Sequence, residues 1–193
     1  VNPRPVMKMQ NTFLSNSKAF DLYSNEVEET KQHRENFIFN PLANKIIDRF
    51  GQGKKYLLEI GCGPGLLLNA IRKKNSNYSL HGIDINEEAV KICKRKKLNV
   101  ELGSFEDIKI KRKFDIIIFW AVFDHFNNPR KILKKCHNIL NKRGKILIGN
   151  LNMDGFESTI LGKNNPGIFT MPARLNFFNV KSMEMILKKT GFK

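Results

Sequence analysis

The sequence predicts one α/β domain built around a doubly wound, mainly parallel sheet. From residue 54 onward, short apolar segments alternate with longer segments of helical periodicity, which is the pattern of strands joined by helical crossovers. A glycine-rich turn follows the first apolar segment, as expected where a strand passes into a helix. The chain has 193 residues, which gives room for one domain of this type but not for a second.

The first 53 residues contain no strand-like segment and predict two helices. Residues 25–39 have charged side chains on one side, and residues 42–50 repeat apolar side chains at helical spacing after Pro41. We expect residues 1–53 to form a helical lid segment over a pocket of the main domain, which spans residues 54–193.

Five strands are predicted in the main domain, and the fourth is the most apolar. Its residues 116–119 form an uninterrupted apolar run, which favours burial on both faces of the sheet. Arg143 and Gly144 predict a turn before the fifth strand. The predicted strands are residues 56–60, 79–83, 100–102, 114–120 and 145–149, and the predicted helices between them are residues 66–71, 86–96 and 129–140.

The composition argues against membrane-spanning, disordered and disulfide-rich classes. Hydrophobic residues make up 41% and charged residues 27% of the chain, as in ordinary globular proteins. The sequence has no run of about 18 apolar residues, and its first ten residues lack the apolar core of a signal peptide. Cys62, Cys93 and Cys136 are widely spaced and form no Cys-x-x-Cys pair. We therefore expect a cytoplasmic protein without a metal site.

The net charge of +16 has two explanations. The excess of 34 basic over 18 acidic residues could bind a nucleic acid or another anionic partner. Alternatively, they could form a lysine-rich solvated surface of the kind that an AT-rich coding sequence produces, together with abundant Asn and Ile. The lysines are concentrated on predicted helices rather than in one arginine-rich tract, which favours the second explanation.

The strongest functional motif is the turn after the first strand, Glu59-Ile60-Gly61-Cys62-Gly63-Pro64-Gly65. Its alternate glycines let the backbone turn tightly and approach a ligand without a side chain in the way. A dinucleotide-binding turn would have its last glycine where this chain has Leu66, and a pyrophosphate would prefer positive partners. The carboxylate of Glu59 instead suits a ligand with an ammonium group. A plain tight turn is the alternative.

A second carboxylate, that of Asp84, ends the second predicted strand, nineteen residues after Gly65. At this place in a doubly wound sheet an aspartate can accept hydrogen bonds from both hydroxyls of a ribose. The alternative is an aspartate that caps the helix beginning near Asn86. Together with the glycine turn, Asp84 predicts a pocket for an adenosine that has an amino-acid tail.

These motifs resemble those of the class I S-adenosylmethionine-dependent methyltransferases, over about residues 54–192. The resemblance implies a Rossmann-like sheet and S-adenosylmethionine as the cofactor. It also implies that the glycine turn holds the methionine part of the cofactor, that Asp84 binds the ribose and that Ile85 packs on the adenine. The turn residues to which this applies are Glu59, Gly61, Cys62, Gly63 and Gly65.

The loop after the third strand departs from the family pattern. It usually reads Gly-Asp-x-x-Asp, whereas this chain has Ser104 in place of the first acid, which commonly holds the adenine amino group. We expect this contact to be weaker or to move to the backbone or to Glu106. Ser104, Phe105 and Phe119 are further candidates for cofactor contacts, and the alternative for Phe119, an aromatic residue at a strand end, is a place in the core. Residues 114–118, 123–125 and 140–144 resemble the fourth strand, the Leu-Glu-His segment and the Leu-x-Pro-Gly-Gly turn of the family.

The candidates for a general base follow the fourth strand. An alcohol acceptor must lose a proton, and His125 or Asp124 is placed to take it, whereas an amine or phenolate acceptor would leave His125 a structural role. His33 on the lid segment is a more remote candidate, and Trp120 could line the cavity or belong to the core. Residues 150–152 and 172–178 resemble a bacterial subgroup linked to sugar, polysaccharide and natural-product tailoring, with Arg174 where that subgroup has a histidine.

Three functions are compatible with these motifs. The leading one is methyl transfer to a small-molecule acceptor, such as a sugar or a metabolite hydroxyl or amine. The alternatives are an RNA methyltransferase that uses the basic surface and a non-catalytic protein that binds S-adenosylmethionine or has lost it. Family members continue after a Gly-Phe with two more strands, whereas this chain stops at Lys193 and begins with Val1. We therefore expect a fragment of a longer protein, whose sheet lacks the last two strands and has an exposed edge.

Overall fold

The fold is a single parallel sheet with helices on both faces, seen in a computed structural model that describes residues 29–161 and 174–193. The strand order is β3-β2-β1-β4-β5, and every neighbouring pair is parallel. The predicted Rossmann-like, doubly wound architecture is therefore confirmed. The strands are β1 (Lys55–Ile60), β2 (Tyr78–Asp84), β3 (Val100–Leu102), β4 (Phe114–Trp120) and β5 (Leu140–Gly149).

Seven helices accompany the strands in the described ranges, together with a π-helical turn at Glu35–Phe39 and a 3-10 turn at Phe123–His125. In these ranges, no helix has the length and apolarity needed to cross a membrane. The last two helices lie beyond the segments that the sequence patterns assigned. The helices are α1 (Lys31–Arg34), α2 (Asn40–Phe50), α3 (Leu66–Lys74), α4 (Glu87–Arg95), α5 (Pro129–Ile139), α6 (Phe156–Leu161) and α7 (Val180–Lys189).

The two hydrophobic cores lie on opposite faces of the sheet, and β4 contributes to both. Because successive side chains of a strand point to opposite faces, Ile116 and Ile118 belong to one core, whereas Ile117 and Phe119 belong to the other. The first core also contains residues of α2, α3 and α4, and the second contains residues of α5. The predicted burial of β4 on both faces is therefore confirmed, and it places β4 and β1 at the centre of the domain.

The predicted break between two amino-terminal helices is wrong. Residues 31–50 form one continuous helical segment, in which the π-helical turn joins α1 to α2. Pro41 has no N–H to donate, and it follows closely on the π-helical turn, a local irregularity of the hydrogen-bond ladder within the segment. Ile46 and Ile47 bury α2 in the first core, so this half of the expected lid is part of the main packing. The lid stays a prediction for the residues before α2, of which 1–28 lie outside the described part.

The fifth strand begins earlier than predicted. Leu140 pairs with Phe114 and Lys145 with Ile116, so residues 141–144 bulge from the strand instead of forming a turn before it. The side-chain amide of Asn141 donates to Asp115 Oδ1 at 2.6 Å and anchors the bulge. As a result α5 ends at Ile139, and in the described ranges β5 pairs with β4 alone.

Candidate active site

The glycine turn between β1 and α3 has open space beside Gly63. This residue has φ +50°, and a Cβ built there would meet no atom within 4 Å. Gly65 has φ +72°, but its Cβ would lie 2.5 Å from Leu98 Cδ1 and 2.9 Å from Cys93 Sγ. Packing behind the turn therefore requires a glycine at position 65, whereas Gly63 is the residue that a ligand could approach closely. Gly61 lies against Val122.

Asp84 ends β2 beside this turn, and its carboxylate is fixed by two backbone groups. Oδ2 accepts the N–H of Gly63 at 2.7 Å, and Oδ1 accepts the N–H of Asn86 at 2.8 Å. Each oxygen keeps a further lone pair, which is the capacity that two ribose hydroxyls require. Burial raises the pKa of Asp84, and the hydrogen bonds from Asn86, Gly63 and Ile85 oppose the rise.

The cap of α4 is Asn86 and not Asp84. The Asn86 side chain accepts the N–H of Ala89 at 3.0 Å, which is the usual N-cap bond. Asp84 instead orients the glycine turn, through the hydrogen bond that it accepts from the Gly63 N–H at the carboxyl end of β2. Ile85 lies next to it, half-buried, in the loop that leads to α4.

Glu59 is a buried carboxylate with an unused acceptor. It lies near the end of β1 with 3% of its surface exposed, and within the described residues its Oε2 has no hydrogen-bond partner. Burial, together with Cys93 and Asp84, raises the pKa of Glu59 well above its ordinary value, against an opposing hydrogen bond from the Leu68 backbone. An unpaired buried acceptor costs about 1–3 kcal/mol, and the ammonium of an amino-acid tail would supply the missing donor.

Two cysteines pack behind the glycine turn. Cys62 and Cys93 are free, buried thiols, and the Sγ of Cys93 donates to the carbonyl oxygen of Gly63 at 3.2 Å. A hydrogen bond to Cys93, with burial, raises the pKa of the Cys62 thiol well above its ordinary value. Cys62 is therefore a packing residue, whose Sγ would lie 2.8 Å from a Cβ at Gly82.

Lys135 of α5 holds the loop after β3 from behind. Its Nζ donates to the carbonyl oxygens of Phe105 at 2.5 Å, Ile108 at 2.6 Å and Glu106 at 3.1 Å. Ser104 Oγ accepts the N–H of Glu106 at 3.2 Å and closes the turn of the same loop. Sequence reasoning missed Lys135, because a single lysine on a lysine-rich helix gives no signal of its three carbonyl partners.

Two predicted cofactor residues have their side chains in the second core. The rings of Phe105 and Phe119 are buried and meet edge to face with centroids 6.2 Å apart. Phe123 and Phe126 extend the same aromatic cluster. Neither side chain reaches an open surface: Phe119 lies on a covered face of β4, and Phe105 packs against it from the loop after β3. The backbone of Phe105, unlike its side chain, belongs to the loop after β3, next to Ser104.

The turn after β4 connects to the carboxy-terminal segment through Asp124. This residue is 3% exposed, and its Oδ2 accepts a hydrogen bond from Arg174 Nη1 at 2.5 Å. Its carbonyl oxygen accepts the N–H groups of Leu175 at 2.9 Å and of Asn176 at 3.0 Å. The sequence pointed to Arg174 only as a departure from a family pattern, and the ion pair with Asp124 became visible only in the fold.

His125 is next to this ion pair and is half-buried. Its Nε2 lies 3.5 Å from Asp124 Oδ1. Burial lowers the pKa of His125, Asp124 opposes this effect, and Arg174 adds to it. The imidazole is therefore neutral at pH 7 and can accept a proton.

The other candidate residues lie elsewhere on the described surface. His33 is exposed on α1, where its ring stacks on that of Phe37 at 4.7 Å. Trp120 is half-buried and packs over Gly149 of β5, so most of its ring belongs to the contact between these two strands.

Comparison with known proteins decides the family. A sequence profile described as a methyltransferase domain matches residues 31–193, which is most of the chain. The chain belongs to the methyltransferase-domain family. The predicted class I methyltransferase family is thereby confirmed, with S-adenosylmethionine as the cofactor of the family.

Relatives include named O-methyltransferases. The chain is 24% identical over 191 residues to a malonyl-[acyl-carrier protein] O-methyltransferase of Priestia megaterium, covering 94% of this chain and 66% of the relative. It is 29% identical over 136 residues to a ubiquinone biosynthesis O-methyltransferase of Coxiella burnetii, covering 65% of this chain and 57% of the relative. The chain thus spans less than two thirds of the length of both relatives.

Solved structures share the fold. A plantazolicin methyltransferase in complex with S-adenosylhomocysteine superimposes with a TM-score of 0.72 at 20% identity, covering 95% of this chain and 73% of that one. A Thermotoga maritima protein described as a possible histamine N-methyltransferase gives a TM-score of 0.70 at 24% identity, covering 90% of this chain and 79% of that one.

Proposed function

We propose that the chain binds S-adenosylmethionine at the carboxyl ends of β1 and β2 and transfers its methyl group to a small-molecule acceptor. One observation carries the proposal: Gly63 has open space beside it and donates its N–H to Asp84, and Asp84 in turn is near enough to Glu59 to raise the pKa of that carboxyl, whose Oε2 has no hydrogen-bond partner among the described residues. These three features suit the backbone, the ribose and the ammonium of one ligand. A dinucleotide phosphate would instead meet two carboxylates, which disfavours it.

Each residue of the pocket has a distinct role in this proposal. When bound, S-adenosylmethionine supplies a methyl group on a positively charged sulfur. Glu59 pairs with the ammonium, Asp84 accepts hydrogen bonds from the ribose, and Gly63 lets the backbone approach the tail between them. The backbone of residues 104–108, braced by Lys135, borders the adenine. These contacts hold the cofactor in one orientation, which is the main requirement of an in-line transfer.

We infer that His125 is the general base for a hydroxyl acceptor. Its imidazole is neutral at pH 7 and lies just past β4, whereas the Asp124 carboxylate is committed to Arg174. In this reaction the acceptor oxygen bonds to the methyl carbon, the carbon–sulfur electron pair stays on sulfur, and the acceptor proton goes to the imidazole of His125. The O-methyltransferase names of two relatives support an oxygen acceptor, and a sugar or metabolite hydroxyl is the class we propose.

Transfer of a tritiated methyl group to pools of sugar, phenol and amine acceptors tests the proposal. We expect incorporation that falls about 100-fold or more in His125→Gln, the usual contribution of a general base, with S-adenosylhomocysteine affinity unchanged. His137→Gln is the matched control, because His137 is an exposed histidine of α5. Loss of S-adenosylhomocysteine binding in His125→Gln would contradict the base role. Cofactor binding without transfer to any acceptor would contradict the enzymatic function and favour a binding protein.

A further inference from the structure

The amino ends of the central strands form a strongly cationic edge of the domain. Lys55 of β1 pairs with Tyr78 of β2, and Phe114 of β4 pairs with Leu140 of β5, so these residues lie in one row. The row is at the opposite edge of the sheet from the glycine turn and Asp84. We call its cations the basic rim, which consists of Lys54, Lys55, Lys73, Lys74, Arg112, Lys113, Lys142, Arg143 and Lys145.

The basic rim is not neutralised by carboxylates of the segments that form it. In residues 54–55, 73–77, 112–115 and 141–145 the single carboxylate is that of Asp115, which accepts bonds from the Tyr56 N–H at 2.8 Å and from Asn141. Within the described chain, no rim cation forms an ion pair at 4.0 Å or less. On α4, by contrast, Lys91 pairs with Glu87 and Glu88. The rim thus gathers nine of the 34 basic residues of the chain at one edge of the sheet, with one carboxylate in the segments that form it.

The rim is linear and partly held in place. The guanidinium of Arg112 lies 4.8 Å from the centroid of the Tyr56 ring, and the ammonium of Lys54 lies 5.7 Å from it. Four strands at a spacing of about 4.8 Å make the row from β2 to β5 about 14 Å long. A nucleic-acid strand advances about 3.4 Å along the duplex axis per phosphate, so the row spans about four nucleotide steps of a duplex that lies along it.

We propose that the basic rim binds the phosphate backbone of a nucleic acid, separately from the methyl-transfer site. A linear row of unneutralised cations complements a linear row of phosphates. A membrane surface is less suited, because within the described residues none of the large exposed apolar side chains lies in the rim segments. Contacts to phosphates alone confer no base specificity, so the rim would hold a nucleic acid without reading its sequence.

Fluorescence anisotropy with a labelled 20-base-pair duplex, made once as RNA and once as DNA, tests this site between 50 and 200 mM salt. The rim variant combines Lys54→Gln, Lys73→Gln, Lys142→Gln and Arg143→Gln, all of exposed side chains. The control variant makes the same change of charge on other surfaces, with Lys94→Gln, Arg95→Gln, Lys134→Gln and Lys181→Gln. S-adenosylhomocysteine binding is measured on every protein, so that failure of the cofactor pocket is recognised separately.

We expect the parent chain to bind at least one duplex with a log–log salt slope of about −3.6, from four phosphates at about −0.9 each. The rim variant should lose at least tenfold in affinity and most of that slope, whereas the control variant should lose less than threefold. An equal loss of duplex affinity in the rim variant and the control variant would overturn the proposal in favour of non-specific electrostatic attraction to the whole surface. Absence of binding to both duplexes at 50 mM salt, with binding to vesicles of phosphatidylglycerol, would overturn it in favour of a membrane surface.

Discussion

Replacing Gly63 by alanine separates the ligand contact from the stability of the glycine turn. The new Cβ meets no protein atom within 4 Å, so the cost to the ligand-free fold is that of a left-handed residue, about 1–2 kcal/mol. A gain of about 0.4–1 kcal/mol from the stiffer unfolded chain offsets part of it. We therefore expect a net loss of about 1 kcal/mol, or a fall in Tm of about 2–4 °C.

The same methyl group enters the space that we assign to the cofactor. Overpacking of a filled site costs about 1–3 kcal/mol, so affinity for S-adenosylhomocysteine should fall by about 10-fold to 100-fold. Gly65→Ala is the matched control, because its Cβ would collide with Leu98 and Cys93 behind the turn. That variant should lose about 2–4 kcal/mol of stability through strain and overpacking together.

Calorimetric titration with S-adenosylhomocysteine and thermal unfolding of both variants check this reasoning. The expected pattern is a stable Gly63→Ala protein that binds poorly and a clearly destabilised Gly65→Ala protein. A Gly63→Ala protein with parent-like affinity would refute the placement of the ligand beside Gly63. Equal destabilisation of the two variants would refute the packing argument.

Two further variants test residues that support the proposed cofactor pocket. In Lys135→Met, three carbonyl oxygens lose their donor, so S-adenosylhomocysteine should bind about 5-fold to 10-fold more weakly, whereas Lys134→Met on the exposed side of α5 should bind normally. Calorimetry on both proteins decides this, and equal affinities would exclude a role of Lys135 in supporting the adenine loop. Because the pKa of Glu59 is raised in the fold, the native state keeps its proton at a pH where the unfolded chain has lost it. The contribution of Glu59 to stability is thus present below the unfolded pKa of about 4.3 and decreases as pH rises through the folded value. Glu59→Gln should therefore gain stability over the ligand-free parent between pH 4 and pH 7 in denaturant titrations, and a constant difference would contradict the raised pKa.

The central fold could be predicted because its signals are local. The apolar run of β4 and the glycine turn each specify their own conformation, and parallel strands then bring Glu59 and Asp84 to one edge of the sheet. The N-cap of α4 at Asn86 is equally local. For these residues the position in the sequence determines the position in the sheet, so the proposed cofactor pocket could be outlined without a structure.

Other features depend on contacts between distant segments. The bond from Arg174 to Asp124 joins residues 50 positions apart, and the contacts of Lys135 with the loop after β3 span about 30. Pro41 predicted a helix boundary. The helical segment nevertheless continues through Pro41, because α2 is packed in the first core. Burial of the Phe119 side chain also depends on distant segments, because it follows from the covering of both faces of the sheet.

Calorimetric titration of the parent chain with S-adenosylhomocysteine, beside Asp84→Asn and the exposed-surface control Asp48→Asn, tests the central claim most directly. Asp84→Asn exchanges one acceptor of the proposed ribose contact for a donor, and loss of hydrogen bonds to a charged group costs about 1.5–3 kcal/mol. We predict binding by the parent and by Asp48→Asn, with affinity about 10-fold to 100-fold weaker in Asp84→Asn. Equal affinity of all three proteins, or a folded parent chain that binds no S-adenosylhomocysteine, would contradict the proposed cofactor pocket.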